Sequence, residues 1–166
     1  MHPKLRETLQ EIEDDDILKQ LIGWFQDLVD GTIGQELETR SLQGLRITHA
    51  RKGYLRSEFA VPSLAADVNG NWHGGAIAIL MDAVGAVAAY SAFHHVIKSV
   101  DFSISHYSTA KIQEEVVVEA KVVGNHDKLV QVMMEARMKA NNELIASGKM
   151  WAALNNFAIT TTSSKL

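Results

Sequence analysis

Gly74-Gly75-Ala76-Ile77-Ala78-Ile79-Leu80-Met81-Asp82-Ala83-Val84-Gly85-Ala86-Val87-Ala88-Ala89-Tyr90 is apolar at nearly every position except Asp82. A surface helix has a polar side; a helix apolar all round has no place at a surface and belongs inside. Its many alanines and glycines let other backbone come close. The run from Gly74 to Ala89 is short of the ~20 residues a bilayer requires and has Asp82 in its middle, so no membrane span is expected.

Working outward, the flanking sequence reads with period 2. Leu45, Ile47 and His49 alternate with Arg46 and Thr48, Lys52-Gly53 turns the chain, and Leu55, Ser57, Phe59 and Val61 alternate on the return until Pro62. After the helix come four strands, over 96–107, 115–123, 128–140 and 143–153, joined by turns such as Gly124-Asn125-His126-Asp127 and Asn141-Asn142. Short connections between successive strands predict an antiparallel meander. Ahead of all this, Leu5, Leu9 and Ile12 share one helical face. Ile17, Leu18, Leu21, Ile22, Phe25, Leu28 and Val29 share another, with Asp15 or Asp16 as cap and Gly31 as stop. The expected architecture is α+β: one long antiparallel sheet wrapped round one buried helix, behind an N-terminal helical extension. The organisation reads as amphipathic helices over 1–43, the sheet-and-helix domain over 44–154, and a tail over 155–166.

The 166 residues suit a single domain, and 46% apolar with 22% charged is the balance of an ordinary soluble globular protein. A net charge of −4 lacks the basic stripe of nucleic-acid binders, so no nucleic-acid partner is expected. With no cysteine, disulfides, zinc–thiolate sites and a cysteine nucleophile are excluded. His94-His95 have no suitably spaced third ligand, so neither metal nor cofactor is expected. The N-terminus has no apolar segment of secretory type. Ser164-Lys165-Leu166 matches the tripeptide read by the peroxisomal import receptor, so peroxisomal residence is expected over cytoplasmic, if the natural chain ends there.

Asp82 carries the first chemical signal. A charge buried alone is very costly, so this carboxylate either bonds to a neighbouring strand or serves as a general base in a dry pocket. His73-Gly74-Gly75 enters the helix, placing two glycine amides among its unpaired N–H groups. There a developing oxyanion can be held, with the helix dipole behind it.

His73-Gly74-Gly75 followed by Asp82 resembles the signature of the PaaI-like and thioesterase-superfamily-member-2-like hotdog thioesterases. The similarity runs on through Ser99-Val100-Asp101-Phe102, the segment ending at Lys111 and Ala146-Ser147-Gly148-Lys149, covering roughly residues 44–153. The resemblance implies hydrolysis of an acyl-CoA thioester by direct water attack. It assigns carbonyl polarisation to Gly74, water activation to Asp82 and water positioning to Ser99. His73 shapes or joins the site, and Gly75 with Asn69 contacts substrate. Lys111 and Lys128 correspond to positions used near the nucleotide of CoA. It further implies sites built across a homodimer, or a dimer of dimers.

One position departs from the family pattern. Where the family has a carbonyl-polarising asparagine, six residues before His73, this chain has Asp67. An ionised carboxylate there would repel an oxyanion, so Asp67 is expected to be protonated, displaced, or replaced by Asn69 or Asn71. Two rival functions share the architecture: a hydratase or dehydratase using His73 with Asp82, and a non-catalytic acyl-CoA-binding module.

Overall fold

The computed structural model describes residues 16–95 and 97–154. The expected first helix over 4–13, the Asp15 cap and the tail with Ser164-Lys165-Leu166 lie outside them. Three helices, α1 (Asp16–Val29), α2 (Glu36–Leu42) and α3 (Gly74–Phe93), accompany six strands: β1 (Arg46–Arg51), β2 (Tyr54–Ala60), β3 (Ile97–His106), β4 (Glu115–His126), β5 (Leu129–Met138) and β6 (Leu144–Leu154). Helix α2 has no long apolar stripe and was not expected. Gln35 and Glu38 close a capping box at its start.

All strand pairs are antiparallel, in the order β1-β2-β4-β5-β6-β3. The meander expectation holds for β4-β5-β6 but not for β3. That strand crosses to the far edge beside β6, so that β2 pairs with β4. Leu55, Ser57 and Phe59 face inward from β2, while Arg56 and Glu58 take the outer face with Lys139, Glu115 and Glu119.

Helix α3 lies against the inner face of this sheet. Ile77, Leu80, Met81, Val84, Val87 and Ala88 are buried, each large side chain contributing about 1.5–3 kcal/mol. Gly85 marks the closest approach: a Cβ there would lie 2.7 Å from Met134 Sδ and 3.1 Å from Met150 Cε. At the far end the Gly53 N–H donates to Ser91 Oγ at 2.9 Å, pinning the helix to the β1–β2 turn.

Two expectations about α3 need correction. The helix runs 20 residues and is apolar enough to span a bilayer, so its packing on the sheet, not its length, identifies it as a core helix. Nor does the sheet cover it on every side: Ala78, Ile79, Asp82, Ala83, Ala86 and Tyr90 are only half-buried, and all but Ala78 line a cavity that faces α1 and α2.

Candidate active site

Asp82 stands on that face, half-buried on the wall of a cavity of about 400 Å³. Helices α1 and α2 supply the opposite wall through Leu21, Trp24, Phe25, Leu28 and Leu37, so the lining is mostly apolar. A carboxylate in such a place needs a partner. Ser99 Oγ donates to Asp82 Oδ1 at 2.6 Å and also lies 3.2 Å from Met150 Sδ.

The strand makes this contact possible through a bulge. Ser99 pairs with Ala152, Asp101 with Trp151 and Phe102 with Met150, with the register shifting between Ser99 and Asp101. Ala152 and Met150 are both buried and two residues apart, so Ser99 and Phe102 face the helix together. Plain alternation sets Ser99 on the opposite side from Phe102; the extra residue brings it round.

At the other end of the site, α3 begins at Gly74 with His73 as its cap. His73 Nδ1 accepts the Gly75 N–H at 2.9 Å, a capping bond of the kind worth about 1 kcal/mol. Since Nδ1 accepts, the neutral ring carries its proton on Nε2. This corrects the pairing of the two glycine amides as substrate donors, because the Gly75 N–H already has a partner. The Gly74 N–H makes no hydrogen bond among the described residues, and it points out of the helix start.

Of the alternatives expected for Asp67, the hydrogen bonds favour displacement into its own loop. Its Oδ1 accepts from the Asn71 N–H at 2.9 Å and the Asn69 N–H at 2.8 Å, while the Asn71 side-chain amide reaches Oδ2 at 3.5 Å. These bonds, that from the Asn71 backbone first, hold its carboxyl below the ordinary range. They therefore favour the carboxylate, and Asp67 ties the loop that precedes His73. The Asn71 amide is directed to Asp67, and Asn69 is exposed.

Lys111 and Lys128 are not brought together within the chain. Lys111 adjoins Asn71 through a β-bridge at the start of β4, whereas Lys128 lies in the turn after its end. Twelve residues of strand separate them, about 35–40 Å. Among the described residues no cluster of three or more His, Cys, Asp or Glu could hold a metal.

One neighbour of Gly74 escaped the sequence reading. A Cβ on Gly74 would lie 3.6 Å from His106 Cε1 and 3.7 Å from its Nε2. Strand parity was the available signal, since His106 follows Phe102 and Ile104 on the helix-facing side of β3.

Comparison with known proteins agrees with this fold. Residues 69–142, from the Asp67 loop to the β5–β6 turn, match the family described as the thioesterase superfamily. Human acyl-coenzyme A thioesterase 13 is 29% identical over 118 residues, which span 70% of this chain and 84% of that protein. The zebra fish thioesterase superfamily member 2 structure superposes with a TM-score of 0.75 at 26% identity, covering 83% of this chain and 98% of the other. The mouse structure of the same name gives 0.72 at 25% identity, covering 85% and 99%. Over residues 69–142 the chain is similar to the thioesterase superfamily.

The matched region contains Gly74, Asp82, Ser99, His106 and Lys111 but leaves out Asp67 and helices α1 and α2. The cavity wall facing Asp82 is thus built by an extension outside the matched region.

Proposed function

We propose that the protein hydrolyses acyl-CoA thioesters by direct attack of water, with Asp82 as general base. The observation that carries this is the Asp82–Ser99 pair on the wall of an apolar cavity, on the same helix whose first residue, Gly74, has an unspent N–H. Relatives named acyl-coenzyme A thioesterase support the acyl-CoA substrate class. Asp82 takes a proton from water as the water oxygen bonds to the carbonyl carbon, and Ser99 holds the carboxylate and the water in line. The Gly74 N–H stabilises the resulting oxyanion. Collapse of the tetrahedral intermediate breaks the C–S bond, the departing thiolate takes the proton held by Asp82, and CoA and free acid are released. The acyl chain occupies the cavity between α1, α2 and α3.

The functional unit is at least a dimer. Gly74 and Asp82 lie eight residues apart on one helix, a rise of about 12 Å, too far to act on one carbonyl. Two α3 helices related by a twofold axis crossing near about residue 78 would bring Gly74 of each chain to Asp82 of the other. The start of α3 from Gly74 to Ala78, which lies outside the cavity lining, and the outer edge of β3 are the surfaces available for this. The deciding experiment incubates the protein with an acyl-CoA panel and measures free CoA with a thiol reagent. Stoichiometric acyl-CoA binding without release would favour a binding module, and water addition to an enoyl-CoA a hydratase.

A further inference from the structure

We propose that the His106 side chain gives the second hydrogen bond to the thioester oxygen, beside the Gly74 N–H, where Asp67 can give none. The inference rests on the thioesterase reading above and concerns the same site.

Position comes first. The His106 ring lies within 3.6–3.7 Å of where a Gly74 Cβ would sit, on the strand that also brings Ser99 to Asp82. An oxygen accepting from Gly74 would sit about 2.9 Å from its nitrogen, in front of the helix start. A ring packed against the same residue reaches that space by rotation of its own side chain.

Availability is the second argument. Neither ring nitrogen of His106 bonds to a described residue, so its N–H is unspent. Of the groups around the helix start, His73 Nδ1 accepts the Gly75 N–H and Asp67 Oδ1 accepts the Asn69 and Asn71 N–H groups, so neither of these atoms can donate. An ionised Asp67 accepts only. Imidazole carries at least one N–H in every one of its forms, so the His106 ring always has a donor to offer.

The third argument is chemical need. One backbone donor leaves half of the oxyanion's hydrogen bonding unmet, and each such donor typically changes turnover on the order of 10²–10³-fold. A free donor beside Gly74 meets that need without any rearrangement of the Asp67 loop.

The test measures kcat and KM of the full chain on an acyl-CoA that the wild type hydrolyses, with melting curves alongside. His106→Ala should lower kcat about 10²-fold with KM and melting temperature little changed, since the side chain is exposed. His106→Gln, which restores an N–H donor without a ring, should recover about a tenth or more of the wild-type rate. An alanine variant within about threefold of wild type would overturn the inference. So would a glutamine variant as slow as alanine, which would mean the ring serves some other purpose. Either result leaves the thioesterase reading standing. A wild type that hydrolyses no acyl-CoA removes that reading, and this inference with it.

Discussion

Ser99 Oγ is 2.6 Å from Asp82 Oδ1, joining the middle of α3 to the start of β3 across 17 residues of chain. The bond depends on the β3 bulge, which turns Ser99 toward the helix instead of the outer face. It gives a carboxylate on an otherwise apolar helix its hydrogen-bond partner and fixes its orientation toward the cavity.

Asp82→Asn removes the base but keeps size and the Ser99 contact. Its kcat should fall about 10²–10⁴-fold with folding intact. Ser99→Ala should cost less, about tenfold, and should add little in the Asp82→Asn background, because the two side chains act as a unit. Steady-state kinetics of the two single variants and the double variant check this; independent, additive losses would contradict it.

Gly74→Pro tests the donor at the helix start. Proline is favoured at the first position of a helix, where its missing N–H has no intrahelical partner anyway. His73 already has φ −66° and ψ 131°, which a following proline accepts, and an added Cβ meets His106 at ordinary contact distance. Melting temperature should hold or rise while kcat falls about 10²–10³-fold. Purified heterodimers of Gly74→Pro with Asp82→Asn should have one intact site of two and regain about half the wild-type turnover. Heterodimers as inactive as their parents would place both residues in one chain's site and defeat the shared arrangement.

The outer sheet face predicts an acid-dependent stability. Glu58 is held below its ordinary 4.5, first by the Lys139 ammonium at 2.9 Å and then by Arg56. A depressed carboxyl contributes stability that is present above the unfolded value and lost as pH falls through the folded one. Glu58→Gln should therefore be less stable at neutral pH, by no more than about 1 kcal/mol for this partly exposed network. The gap should close as pH drops below 4.5. Urea midpoints from about pH 3 to about pH 7 measure it, and a gap that widens toward acid would reverse the assignment.

Period and composition made most of the fold legible. The apolar helix, the alternation of β2 and the order of the β4-β5-β6 meander are local patterns, and the structure keeps them. The turn expected over Gly124 to Asp127 falls instead at Asp127-Lys128, because β4 stays paired with β5 through His126. Three features were not local. The placement of β3 beside β6 depends on long-range pairing. The bulge at Ser99 appears in the sequence as one ordinary valine, Val100. The short α2 carries too few apolar residues for a stripe. In the site, Gly74 and Asp82 stood out because a Gly-Gly helix entry and a lone acid in an apolar run are unusual. His106 did not, since one histidine at the end of a strand has no pattern of its own. The commitment of Gly75 to His73 and of Asp67 to its own loop are facts of hydrogen-bond direction, which residue types alone leave open.

Asp67→Asn bears most directly on how this chain departs from the family pattern. If Asp67 stood at the substrate oxygen, its ionised form would repel the oxyanion, and an asparagine would raise kcat. The structure instead has its Oδ1 accept both the Asn69 and Asn71 N–H groups, at 2.8 and 2.9 Å. An asparagine can keep both bonds with the same oxygen, since its carbonyl has two lone pairs. Its new NH₂ would meet the Asn71 amide, a contact already long at 3.5 Å that an amide rotation relieves. The expected outcome is a kcat within about threefold of wild type and a small loss of thermal stability, because a neutral acceptor binds amides less strongly than a carboxylate. Asp67→Ala should do more harm, leaving two loop N–H groups without their acceptor and loosening the approach to His73 and Gly74. Kinetics and melting curves of both variants settle the matter: a rise in kcat of tenfold or more for Asp67→Asn, on the order of a restored oxyanion donor, would mean that residue 67 faces the substrate after all.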